Sequence, residues 1–365
     1  MINKNDIFVI YGNKPKDMVK EVLNEAGIEE EINSTDLIGI KPNLVVPKKS
    51  SLGATTDPEL VAGLIEYLHS KGYYNLAILE SPGIGYRTQR VFEACGYLEL
   101  AERYDIPLID LQKDSYSIIK VEGLDIKVCN KALEIDYLIN MPVLKGHCQT
   151  TITCALKNLK GCIPDSEKRK FHTRGLHKPI ACLNKALKQD LVIVDGIMGD
   201  LDFEEGGNPV QMNRIIMGRD PVLIDSYTAE IMGHQIEDIP YIKIAAGLGI
   251  GSADLSTASI KELNEGRGVE VKKNSRKVAR LVRNVKESSA CSVCYGNLVH
   301  ALKRLDEQGK LAALKDKLYI GQGYKGEEME GIGIGVCTKG TEVNVPGCPV
   351  KAKDIIEILS RYLKS

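Results

Sequence analysis

The chain has 365 residues, 43% of them apolar and 27% charged, with a net charge of −1. That length allows roughly two domains of ~150 residues, and the balanced charge argues against a general polyanion-binding surface. With no tryptophan and only four phenylalanines, there is little material for a platform that stacks single-stranded bases.

The N-terminus carries a short apolar strand and not a signal peptide. No apolar run approaches the ~20 residues of a membrane span. A cytoplasmic protein with no membrane segment and no nucleic-acid partner is therefore expected. Ten cysteines in such a chain point to metal ligands or reactive thiols more than to disulfides.

Ile7–Tyr11 reads as a strand, and Lys16–Ala26 as a helix that Gly27 caps. Asp36–Ile40 is a second buried strand, leading into Lys41, Pro42 and Asn43. Open α/β sheets place ligands at strand carboxyl ends, though an exposed turn would read the same. Thr55–Glu59 starts a helix, with a capping residue and a first-turn proline. Ala77–Leu79 and Pro107–Leu111 are strands, with a helix near Thr88–Cys95 between them. This rhythm predicts an α/β fold with a largely parallel sheet and flanking helices.

The most informative stretch is INMPVLKGHCQTTITCALKNLKGCIPD, Ile139–Asp165. Tyr137–Ile139 leads in as a strand, and Pro142 interrupts it because proline cannot donate to a sheet ladder. Lys145, His147, Lys157, Asn158 and Lys160 then crowd among glycines, threonines and cysteines. The one acid is Asp165, at the far end. In a charge-balanced chain this reads as a pocket for an anion. A basic segment follows, Lys168–Lys178, holding His172 and Arg174. Such a run is usually a solvated loop, but its position beside the cationic stretch favours a role in the pocket.

Pro179–Lys188 reads as an amphipathic helix and Leu191–Val194 as a buried strand. That strand ends in Asp195, a site candidate, although Asp-Gly is also ordinary turn chemistry. Glu204–Pro209 is an acidic loop and a candidate lid. Arg214–Met217 reads as a strand, and Pro221 opens a helix that Gly233 closes. The glycine run at Gly247–Gly251 is weak evidence for a dinucleotide site and reads as a turn. Glu262–Lys273 is the candidate linker and Ser275–Lys286 a basic helical stretch. No internal repeat is evident. The expected division is an α/β domain over residues 1–265 and a small cysteine-rich domain over 275–365.

In that second domain Cys291 and Cys294 form a CxxC pair, Cys337 lies 43 positions on and Cys348 a further 11. Four thiolates in one segment, the last in a Gly-Cys-Pro, match cysteine-ligated iron–sulfur clusters. A helix just after Cys348 would aim its positive end at an anionic cluster. A closed zinc site is the alternative, but zinc ribbons usually show two tight knuckles, and here the second pair is spread out. Cys148, Cys154 and Cys162 form a looser set, read first as small buried residues, with ligation of a second cluster or of zinc as the alternatives. Cys95, Cys129 and Cys182 read as core.

As an ordered set, KPNLV, ATTDPE, NMPVLKGH, TCALKNLKGCIPD and VDGIMG resemble the domain-of-unknown-function family three-six-two (DUF362), over roughly residues 36–255. The resemblance implies that Lys41, Asn43, Lys145, His147, Lys157, Asn158, Gly161, His172 and Asp195 fall on recurring family positions. It also implies an iron–sulfur companion domain, here with cysteines for one cluster. It implies no reaction.

These readings combine into a cytoplasmic oxidoreductase that acts on a small carboxylate or phosphate, with electrons passing through one [4Fe–4S] cluster held by Cys291, Cys294, Cys337 and Cys348. Lys41, Asn43, Lys157, Asn158, Lys160 and Arg174 would bind the anion, since lysines and amide donors suit that task. Lys145, His147, His172 and Asp195 form the expected catalytic set, with a histidine as proton donor and Asp195 orienting it or binding substrate. An external donor such as a ferredoxin would supply the electrons. The alternatives are isomerase, lyase or transferase chemistry beside a structural cluster, and a pure electron-transfer or binding protein.

Overall fold

The computed structural model describes residues 2–201, 204–206, 208–266 and 280–363. The chain divides into two units, Met1–Glu167 with His177–Lys273, and Lys168–Leu176 with Asn274–Ser365. Much of the expected linker and of the basic helical stretch lies outside the described residues. The end of that stretch, Val285–Glu287, is a strand.

The strands of the first unit are β1 (Asp6–Tyr11), β2 (Ile38–Pro42), β3 (Leu76–Glu80), β4 (Leu108–Asp110), β5 (Tyr116–Val121), β6 (Leu124–Cys129), β7 (Tyr137–Met141), β8 (Lys145–His147), β9 (Thr151–Thr153), β10 (Leu191–Asp200), β11 (Pro209–Gly218) and β12 (Ser259–Glu262). Eight of them form one sheet in the order β12-β1-β11-β10-β7-β2-β3-β4. β11 runs antiparallel to both of its neighbours, and every other pairing in the sheet is parallel. The α/β class with a largely parallel sheet is as expected.

Strand side chains alternate between faces. Phe8, Ile10, Ile38, Ile40, Ile139, Ile193, Ile215 and Met217 join one apolar cluster with Val19, Val22 and Leu23 of helix Pro15–Ala26 and Leu60, Val61, Leu64 and Leu68 of helix Pro58–Ser70. Their alternates Val9, Val192, Val194 and Ile216 are equally buried, so both faces are covered, as parallel sheets require. Local signals set the helix ends. Gly27 turns left-handed at φ 62° and returns its N–H to Leu23, and the Asp57 side chain accepts from Glu59 N ahead of Pro58.

β2, β3 and β4 step outward in chain order, and the chain then returns to lay β7 and β10 on the other side of β2. The order reverses between β2 and β7. Such a reversal opens a crevice at the strand carboxyl ends, where open α/β sheets bind ligands. One expectation needs correcting here: β10 does not end at Asp195. Beyond a bulge at Gly196/Met198 it runs to Asp200, because Met198, Gly199 and Asp200 find partners in Gln211, Val210 and Pro209 of β11.

The second unit contains β13 (Val285–Glu287), β14 (Leu318–Ile320), β15 (Met329–Ile334) and β16 (Thr341–Val345), a four-stranded sheet in chain order with every pairing parallel. Helix Ser292–Glu307 follows β13 and helix Ala352–Tyr362 follows β16. Contrary to the expectation from sequence, there is a short repeat. IGQGYKG at Ile320–Gly326 and IGVCTKG at Ile334–Gly340 start from register partners, Ile320 and Ile334. Each opens on a glycine at positive φ, 124° at Gly321 and 91° at Gly335, and continues into a 3-10 turn. These connections are shorter than the dozen or more residues that usually join parallel strands, and glycine makes them feasible.

Candidate functional site

At the switch point Lys41 of β2 is the register partner of Asn140 of β7, and Glu80 closes the neighbouring β3. Lys41 Nζ donates to Glu80 Oε2 at 2.8 Å and to the Pro42 carbonyl at 2.6 Å, with both side chains shut away from solvent. Glu80 also accepts from the N–H groups of Leu44 and Ser81. Removing one partner of such a buried pair strands a charge, at about 3–5 kcal/mol. The 3-10 turn Leu159–Cys162 lies hard against the pair: a Cβ on Gly161 would stand 2.1 Å from Glu80 Oε1 and 2.6 Å from Lys41 Nζ. Lys41 therefore belongs to the frame of the site.

From Lys145 a line of buried amides crosses the sheet. Lys145 Nζ donates to Asn43 Oδ1 at 2.6 Å, Asn43 Nδ2 to Asn158 Oδ1 at 2.7 Å, and Asn158 Nδ2 to Asn140 Oδ1 at 2.7 Å. Asn140 Nδ2 continues to Gln189 Oε1 at 2.5 Å, and Gln189 Nε2 to Asn184 Oδ1 at 2.6 Å. Asn184 Nδ2 ends the line on the carbonyls of Leu156 and Ile180. A lysine can only donate, so its position at the head sets the direction of every amide after it. All the oxygens face the Lys145 end, and the dipoles reinforce one another. Burial nonetheless pulls the Lys145 ammonium down to about 7, against the attraction of Glu204.

Lys157 and His147 lie beyond this frame. Lys157 Nζ pairs with Glu204 Oε1 and donates to Thr153 Oγ1. His147 Nε2 stands 3.0 Å from Glu204 Oε2. His147 Nδ1 accepts from the backbone N–H of Gln149 at 3.0 Å and of Thr150 at 3.1 Å, so the ring proton sits on Nε2. Burial, with Lys157 beside it, pushes the imidazole down to about 4, and Lys160 is near enough to add to the effect. Burial opposes charge on Glu204, but Lys157 and His147 outweigh it and hold the carboxyl well below its usual range. Next to it, burial lifts Glu205 to about 7. The carboxylate that stands against Lys157 and His147 is thus the chain's own Glu204.

The other expected residues fall elsewhere. Asp195 accepts from the backbone N–H of Asp57 through Oδ2 and of Ile197 through Oδ1, so its carboxylate holds the start of helix Pro58–Ser70. His172 and Arg174 belong to the second unit, whereas His147 belongs to the first. Burial pushes the Cys148 thiol up to about 12, with Glu204 adding to it. Cys154 lies instead with Asp225 and Thr228, and Cys162 is buried. Among the described residues no three His, Cys, Asp or Glu side chains converge on a single-ion position. Sequence reasoning missed Glu80, Asn140, Asn184, Gln189 and the pairing role of Glu204. Of these only Glu80, a charge at a buried strand end like Lys41, carries a local signal.

In the second unit, register places the cysteines. Glu287, Ile320, Ile334 and Val345 line up across the sheet. Cys337 and Cys348 follow three residues after their strand's member of that row, Cys291 four after, and Gly323 stands at the matching place beyond β14. Cys291 caps helix Ser292–Glu307, which puts Cys294 in its first turn. Burial and the neighbouring thiols of Cys291, Cys348 and Cys337 push Cys294 up to about 12. Gln322 Nε2 lies 3.6 Å from Cys291 Sγ, and His172 Nε2 lies 3.4 Å from Ser292 Oγ. Four cysteines make an all-thiol donor set, which is what a cysteine-ligated iron–sulfur core takes and what a closed zinc site also uses.

The family model described as domain of unknown function (DUF362) matches residues 38–230, just over half of the chain. The chain belongs to the DUF362 family. A thylakoid-associated protein of Synechocystis sp. is 27% identical to this DUF362 chain over 235 residues, 61% of this chain and 71% of that protein. Among solved structures, the lactate racemase apoprotein of Thermoanaerobacterium thermosaccharolyticum has a TM-score of 0.42 at 12% identity, covering 58% of this chain and 54% of that one. A Thermotoga maritima protein has a TM-score of 0.41 at 14% identity, covering 65% and 60%. The DUF362 chain thus spans less than two thirds of either solved chain. The family match takes in Lys41, Lys145, His147, Lys157 and Asp195 but none of Cys291, Cys294, Cys337 and Cys348. Among the described residues no helix is long and apolar enough to cross a membrane.

Proposed function

We propose that this protein is a cytoplasmic iron–sulfur oxidoreductase acting on a small anionic substrate. The observation that carries the reading is the placement of four cysteines at one end of the second unit's sheet, with Cys291 and Cys294 at the start of helix Ser292–Glu307 and Cys337 and Cys348 each three residues beyond the paired Ile334 and Val345. These four would hold one [4Fe–4S] cluster, which supplies single electrons when bound. An external carrier such as a ferredoxin would deliver them. In the first unit Lys157, backed by Lys145, binds the negative charge of the substrate, and His147 Nε2–H donates to the same anion. The amide line holds Lys145 through its donation to Asn43, and the Lys41–Glu80 pair ties together the ends of β2 and β3.

A second reading has non-redox chemistry in the pocket and a structural cluster. One observation favours it: the pocket residues and the cysteines belong to different units. One experiment separates the two. Protein purified without oxygen is assayed for iron and acid-labile sulfide and titrated with dithionite. About four of each per chain, with a visible band that bleaches reversibly, is the expected result. A cluster that dithionite cannot reduce would favour the second reading. Zinc in a colourless protein would overturn both.

A further inference from the structure

This inference rests on the anion pocket proposed above and names the class of its ligand. We infer that the site made by Lys157 and His147 takes a carboxylate and rejects phosphate, with Glu204 standing in the ligand's place in this structure. Two groups face two oxygens: Lys157 Nζ pairs with Oε1, and His147 Nε2, a buried nitrogen without an aligned hydrogen-bond partner, is 3.0 Å from Oε2. That is the pattern a planar, two-oxygen anion presents. The site is closed, with Lys157 3%, His147 0% and Glu204 14% exposed at the side chain.

Charge argues the same way. His147 cannot become an imidazolium without placing a proton on Nδ1, which already accepts from the N–H groups of Gln149 and Thr150. It therefore contributes an N–H and no charge. Lys145 has its donors on Asn43 Oδ1 and the Ala54 carbonyl, both at 2.6 Å, and burial pulls it toward neutrality. Lys157 supplies the main positive charge and Lys160 a smaller one from farther off, a balance nearer to a monoanion than to a dianion. A phosphate group carries about −1.5 to −2 near neutral pH, with more oxygens to satisfy. In a closed site the excess charge and unpaired oxygens are strongly unfavourable.

The test empties the site of its own carboxylate. Glu204→Ala protein is titrated with sodium acetate and, separately, with sodium phosphate at matched ionic strength, and the thermal unfolding midpoint is followed. Acetate should raise the Glu204→Ala midpoint in a saturating way, and phosphate should not. Glu204→Gln, whose amide still fills the space, should ignore both. A phosphate response equal to or larger than the acetate response would overturn the carboxylate class and leave the anion pocket standing. Silence toward both anions would sink the pocket as well. A measurement on the unaltered protein guards against misfolding of the variant. Nitrogen NMR of His147 should show one proton, on Nε2, from about pH 6 to about pH 8. An imidazolium in that range would give the site charge for a dianion and overturn the inference.

Discussion

His147 Nδ1 accepts from two backbone amides, and that local geometry sets the chemistry of the whole ring. A free histidine titrates near 6.5, whereas burial, with Lys157 beside it, holds this one down to about 4. Between those values the unfolded chain takes up a proton that the folded chain refuses. Stability should therefore fall as the pH drops from about 6.5 toward about 4. At 1.36 kcal/mol per pH unit the full contribution is about 3 kcal/mol. Urea midpoints measured across that range test it. His147→Asn should flatten the acid limb, and an unchanged limb would mean that other groups produce it. The same residue also shows how far a sequence reading reaches. Lys145, His147 and Lys157 are recognisable as a cationic set because they crowd a short stretch. Their counter-charge is not, because Glu204 lies 47 positions beyond Lys157 in a loop that looks merely acidic.

At the scale of elements, strands such as Ile7–Tyr11 and helix ends at Gly27 and Asp57 are legible because their signals are local. The amide line is not, since Asn184 and Gln189 read as ordinary polar residues near a helix end until the sheet brings Asn140 beside them. The repeat in the second unit is hidden for a related reason. Gly323 stands where its partner loop has Cys337, and only the pairing of Ile320 with Ile334 aligns the two loops. Gly321 is the strained point of the first loop, at φ 124°, and a methyl added there would stand only 2.0 Å from the Ser288 carbonyl oxygen. Gly321→Ala should destabilise the second unit by about 1–3 kcal/mol. Gly326, also at positive φ but with open space around it, should tolerate alanine better. Chemical denaturation of the two variants decides the matter, and equal losses would show that backbone strain and not the close contact dominates.

At the scale of the molecule, the chain leaves its first unit inside helix Asp165–Thr173 and rejoins it at His177. Lys168–Leu176 therefore travels with the C-terminal part although it lies in the middle of the sequence. Phe171 in that segment is fully buried. A fragment of residues 1–266 would keep the segment and lose the unit it clusters with. It should aggregate or unfold earlier than the same fragment with Lys168–Leu176 replaced by a glycine-serine loop, since re-exposing one large apolar side chain is worth about 1.5–3 kcal/mol. Size-exclusion profiles and unfolding midpoints compare the two fragments, and identical behaviour would show that the segment is self-sufficient.

The four-stranded sheet also acts as a ruler. Because Cys337 and Cys348 are each counted off three residues from a paired row, their separation is set by chain length between rungs more than by the side chains in between. Most point changes in those rungs leave the count intact. One residue added or lost between Ile334 and Cys337, or between Val345 and Cys348, changes that count and moves a thiol relative to its row. Sequences that preserve this device should therefore vary in letters there far more freely than in length.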